Sequence, residues 1–84
     1  MKEYRTSNLS LISYLAYKGI AAESLELCGK NNTRVEFVFD TSDSKTDELI
    51  NEFLGEHALV EPALFYSVVR SVLATIKKFS TPEV

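Results

Sequence analysis

Residues 33–40 read Thr-Arg-Val-Glu-Phe-Val-Phe-Asp, and this stretch constrains the fold more than any other. Side chains of an extended chain alternate between two faces, so Val35, Phe37 and Phe39 share one face while Arg34, Glu36 and Asp40 share the other. Just ahead, Gly29-Lys30-Asn31-Asn32 supplies residues that tolerate positive φ, which predicts that the strand is the second arm of a β-hairpin. The first arm is a weaker alternation, Leu25 and Leu27 against Ser24, Glu26 and Cys28. A face with two phenylalanines needs a cover, and the rest of the chain must provide it.

Three segments have the pattern to do so. Ser7 or Asn8 is placed to cap a first helix that runs to about Lys18 and stops at Gly19. Its expected buried stripe is Leu9, Ile12, Leu15 and Ala16, with Leu11 at the margin; Ser10, Ser13, Tyr14, Tyr17 and Lys18 fall on the opposite side. The second helix follows the capping cluster Thr41-Ser42-Asp43-Ser44, with Ser44 and Asp47 spaced as a capping box. It is expected to bury Leu49, Ile50, Phe53 and Leu54 and to end at Gly55. Pro62 suits the first position of a third helix, because its missing amide has no partner there. That helix is expected to reach about Phe79 and to stop at Ser80-Thr81-Pro82, with Phe65, Val69, Val72, Ile76 and Phe79 as its core stripe. With residues 4–6 available as a short third strand, the order is (β)-α-β-β-α-α. The predicted fold is one small α+β domain over residues 1–84, an antiparallel hairpin packed by three helices.

A chain of 84 residues that is 45% apolar and 25% charged is composed like a folded domain, not a disordered one. Its apolar runs fall far short of the ~20 residues a membrane span needs, and no basic-then-apolar leader opens it. The single cysteine, Cys28, forms no internal disulfide and fits a reducing compartment, so a cytoplasmic protein is expected. The net charge of −3 argues against general affinity for nucleic acid. Its distribution is uneven, however: between Glu36 and Glu61 eight acids face only Lys45, whereas beyond Pro62 the bases Arg70, Lys77 and Lys78 face only Glu83.

Catalytic patterns are lacking. His57, the one histidine, sits in a short inter-helix segment without a nucleophile or orienting acid nearby, and one His with one Cys cannot build a zinc site. Residues 40–45 superficially resemble a calcium loop, but Lys45 stands where the turn requires glycine and Asn51 where a bidentate glutamate belongs. Gly19, Gly29 and Gly55 each mark an element boundary, so no phosphate-cradling loop exists. No catalytic residue, metal or cofactor is expected.

Two surfaces stand out instead. Tyr14 and Tyr17 lie on the polar side of the first helix, where they either cover the hairpin or anchor a partner. Tyr66, Arg70, Leu73 and Lys77 form a stripe flanking the core face of the third helix, where aromatic and basic residues either pack locally or hold a nucleic-acid backbone. The third helix also carries more apolar surface than one small sheet can cover, counting Leu64, Tyr66 and Leu73, which points to a homodimer through it or, alternatively, to packing against both other helices.

Tyr4-Arg5-Thr6-Ser7-Asn8-Leu9, Tyr14-Leu15, Lys18-Gly19, the Phe37/Phe39 strand and the helix after Pro62 together resemble a family of short bacterial and phage proteins catalogued only as a domain of unknown function. Asn8 stands where that family tends to have Asp, and Glu61 replaces a better cap before Pro62. The resemblance implies a small α+β fold and association with mobile elements, and it brings no catalytic residues. The expected function is a non-enzymatic protein-interaction module of inhibitor or adaptor type, presenting Asp47, Glu48 and Glu52 with Tyr14 and Tyr17 to a partner. The alternative is weak nucleic-acid binding through Tyr66, Arg70, Lys77 and Lys78. Neither involves a membrane.

Overall fold

In a computed structural model describing residues 2–29 and 34–80, the phenylalanine strand lies at the centre of a three-stranded antiparallel sheet. The elements run β1 (Glu3–Thr6), α1 (Leu9–Tyr17), β2 (Ser24–Cys28), β3 (Arg34–Asp40), α2 (Ser44–Leu54) and α3 (Pro62–Ser80), in the sheet order β1-β3-β2. The fold is therefore α+β with the predicted element order, and the short N-terminal strand is present. The hairpin pairs Leu25 with Phe37 and Leu27 with Val35, while β1 sets Tyr4 beside Phe39 and Thr6 beside Phe37. Every apolar position of the helix-facing side thus lines up across the strands, as the period of two requires. Gly29 takes the positive φ of 83° expected at the end of the first arm; residues 30–33 and the predicted stop at 81–82 lie outside the described residues.

The opposite face of the sheet is polar. Arg5 reaches Glu26 on β2, Glu36 on β3 at 3.8 Å and Glu3 on its own strand at 3.3 Å. These exposed pairs contribute little each, but they fix the sign pattern of that face. Val38 also points this way, between Arg5 and Ser24, and as a central-strand residue it is only 2% exposed.

Caps follow the short polar side chains. Asn8 Oδ1 accepts from the amides of Ser10 and Leu11 at 3.0 and 3.2 Å, which settles the first N-cap on Asn8 and not Ser7. The second N-cap is Asp43, accepting from the Lys45 amide at 3.0 Å; Ser44 is the first helical residue, so the predicted Ser44/Asp47 capping box does not form. At α3 the Glu61 carboxylate itself accepts from the Leu64 amide at 2.6 Å. Glu61 is thus an adequate cap, contrary to the sequence reading.

Burial on α1 departs most from expectation. Leu11, Ile12, Ser13, Tyr14 and Leu15 are all buried, Leu9 is only half-buried, and Ala16 is exposed. The stripe rule assumes one covered side, whereas α1 touches α2 on one side and α3 on the other above the sheet, and so buries most of its circumference. The outer helices show the converse. Leu54 on α2 is 57% exposed, and on α3 only Val72 is fully buried, with Phe65, Val68, Val69 and Ile76 half-buried and Phe79 43% exposed.

Candidate functional site

The helices leave part of the sheet uncovered. Beside α3 opens a cleft of about 440 Å³, floored by Phe37 and Phe39 of β3 with Ile12, Val68 and Val72 around them. One wall is Ser67, Ser71 and Thr75, which a four-residue spacing stacks on a single face of α3. The other wall is Ala16 with the irregular segment Ile20-Ala21-Ala22 that leads into β2. All of these residues are small or apolar, and none is charged. The Thr75 hydroxyl donates back to the Ser71 carbonyl at 3.1 Å, so it is satisfied by its own helix.

Such a cleft can exclude water from an apolar partner and offers a few hydroxyls at its rim; it has no group that could move a proton or hold a metal. The Ser67-Ser71-Thr75 spacing was legible in the sequence. The facing wall was not, because Ala21 and Ala22 belong to no periodic element, and nothing local says that they come within reach of α3.

The predicted partner-binding tyrosines have internal roles. Tyr14 is 1% exposed, a correction of its placement on the polar side. Its hydroxyl donates to Glu52 Oε1 at 2.8 Å, and its ring lies 5.9 Å from that of Phe53. Burial chiefly, with the Glu52 carboxylate second, pushes the Tyr14 phenol up to about 12 from its ordinary 10.0. Tyr17 packs edge-on against Phe65, ring centres 6.0 Å apart, and its hydroxyl accepts the Glu61 amide at 3.0 Å, so it docks the start of α3 onto α1. Lys18 holds its ammonium 5.7 and 5.9 Å from the two rings. Of the predicted acids, Asp47 and Glu48 are free on the exposed side of α2, whereas Glu52 is tied to Tyr14.

On α3, Tyr66, Arg70 and Lys77 stay together on the solvent side, with the Arg70 guanidinium 5.9 Å from the Tyr66 ring centre. Lys78 is turned about 100° away, toward the cleft side of the helix. His57 is exposed and its amide donates to the Glu52 carbonyl at 2.9 Å, ending α2. Cys28 is half-buried on the polar face of the sheet opposite Arg34. Among the described residues, no three of His, Cys, Asp and Glu gather as metal ligands, and no helix is long and apolar enough to cross a membrane.

Fold and surface together define a small α+β domain with a polar sheet face and an uncovered apolar cleft beside its last helix. Over residues 1–79 the chain matches the model of a domain of unknown function, DUF5659, and it belongs to that family. No curated protein and no solved structure matches it.

Proposed function

We propose that this protein is a small non-enzymatic interaction module that works by presenting the cleft beside α3 to another protein surface. The observation that supports this reading is the cleft itself, an opening of about 440 Å³ whose lining is small or apolar and carries no charged group, with the buried rings of Phe37 and Phe39 at its base. Exposed Leu64 and Phe79 extend the apolar surface at either end of the α3 wall. Large apolar side chains left exposed beside such a cleft are what protein partners bury. The free carboxylates Asp47 and Glu48 on α2 offer a second, acidic contact for a basic partner, of inhibitor or adaptor type. We place the protein in the cytoplasm, where Cys28 stays reduced. Carriage on a phage or another mobile element, expected from the family resemblance, is tested by the genes that flank it.

The direct test is affinity capture with the wild type, with Ser71→Arg in the cleft wall, and with Asp47→Lys/Glu48→Lys on α2. A partner retained by the wild type and lost with Ser71→Arg supports the reading. Absence of any specific partner and of self-association, with all three proteins folded, refutes it.

A second reading, weak nucleic-acid binding, draws on the exposed Tyr66-Arg70-Lys77 stripe. Counterion release requires such binding to weaken steeply with salt, and a low-salt titration that yields no complex eliminates it.

A further inference from the structure

We infer that the occupant of the cleft is a second copy of this chain, whose α3 lies antiparallel to the first about a two-fold axis near Ser71. The inference rests on the interaction reading above and names its partner. Three observations carry it.

The first is area. The chain exposes 5892 Å², whereas a compact monomer of 9.4 kDa is expected to expose about 5,000 Å². Part of that larger surface is apolar side chains of α3, with Leu64, Leu73 and Phe79 60%, 47% and 43% exposed. The molecule is also a thin slab, 40 × 34 × 19 Å, a sheet with one layer of helices.

The second is shape. Along the cleft side of α3 the small residues Ser67, Ser71 and Thr75 occupy the middle, and Leu64 and Phe79, 60% and 43% exposed, stand at the ends. An antiparallel pair centred on Ser71 sets Leu64 of one protomer toward Phe79 of its partner, and symmetry repeats the contact at the other end. Small residues at the crossing allow the helix axes to approach to about 8 Å, the close end of the usual range. The surface is thus complementary to itself.

The third is charge. Glu61 stands at the start of α3, and Lys78 lies on the cleft side of its last turn. Antiparallel pairing brings the acidic start of each helix to the basic end of the other and opposes the two macrodipoles; parallel pairing would set like on like.

The mass of the wild type by sedimentation equilibrium over a concentration series, expected to approach twice 9.4 kDa, is the first measurement. In a Cys28→Ser background, oxidised Ser71→Cys should give a covalent dimer, whereas Tyr66→Cys on the solvent side of α3 should not. Ser71 is exposed, so Ser71→Arg should leave the circular dichroism unchanged while reducing the mass to that of one chain. A wild type that remains monomeric throughout, or equal cross-linking at positions 66 and 71, overturns the dimer. If that monomer loses a heterologous partner with Ser71→Arg, the dimer fails and the interaction reading stands. If Ser71→Arg changes neither binding nor mass, both fail.

Discussion

Tyr14→Phe deletes one oxygen atom, and its effect discriminates between an outward and an inward Tyr14. The ring is 1% exposed and lies 5.9 Å from Phe53, so phenylalanine fills the same space and leaves no cavity. What is lost is the 2.8 Å bond from the hydroxyl to Glu52 Oε1. Hydrogen bonds to charged groups contribute about 1.5–3 kcal/mol, but Glu52 is itself exposed and rehydrates once released, which brings the expected loss to about 1 kcal/mol. Glu52→Ala should cost a similar amount, because it strands a phenol at a half-dry edge. The double variant should then be no worse than the worse single one, a coupling of about 1 kcal/mol. Urea unfolding followed by circular dichroism measures this directly. With a slope near 1 kcal/mol per molar urea for a domain of this size, each midpoint should fall by about 1 M at unchanged slope. Tyr14→Ala is the contrast: it opens a cavity at a cost of about 3–5 kcal/mol, comparable to the whole stability expected of so short a chain. If Tyr14→Phe lies within about 0.3 kcal/mol of wild type and shows no coupling to Glu52→Ala, the hydroxyl faces water and the inward reading of α1 is wrong.

The same phenol makes stability pH-dependent at the alkaline end. The folded state holds the Tyr14 proton to about 12 while the unfolded chain releases it near 10.0, so the contribution of this group to stability is whole below pH 10 and is lost as pH rises from 10 to 12. A tyrosinate absorbance titration should show a late phase that Tyr14→Phe removes. Ser13 is fully buried and its hydroxyl has no partner among the described residues, so Ser13→Ala should raise stability by about 0.5–1 kcal/mol; a loss of stability would place a partner on that hydroxyl. Phe37→Ala, at a position 6% exposed in the middle of the sheet, should cost about 3–5 kcal/mol, and a variant that still melts cooperatively near the wild-type temperature would contradict its central place. Glu56 takes the positive φ of 63° after α2 where glycine is preferred, so Glu56→Gly should stabilise by up to about 1 kcal/mol, while Gly19→Ala, at φ 87° with nothing within 4 Å, should lose a similar amount through backbone strain alone; thermal unfolding measures both.

The elements of the fold were legible because their signals are local. Val35, Phe37 and Phe39 at a period of two specify a strand with one apolar face whatever lies beside it. Asn8, Gly19, the 41–44 cluster and Pro62 mark helix ends by local chemistry, although within that cluster the cap fell on Asp43 and not on the Ser44/Asp47 pair. The cleft was half legible, through Ser67, Ser71 and Thr75 on α3; its far wall depends on where the 20–22 segment is carried by the sheet.

Side-chain destinations were decided at a longer range. Tyr14 and Ser13 occupy the side of α1 that a one-sided amphipathic pattern assigns to water, yet both are buried, because α2 and α3 close over α1 from opposite flanks. Leu54 and Phe79 follow the apolar spacing of their helices and remain largely exposed, because no element among the described residues covers them. Periodicity along the chain reports which residues share a face, and it did so correctly for the strands. How many faces are covered depends on the number of neighbours an element acquires, a property of the packed molecule, and in this one the central helix acquires three while the last helix is left with an open side.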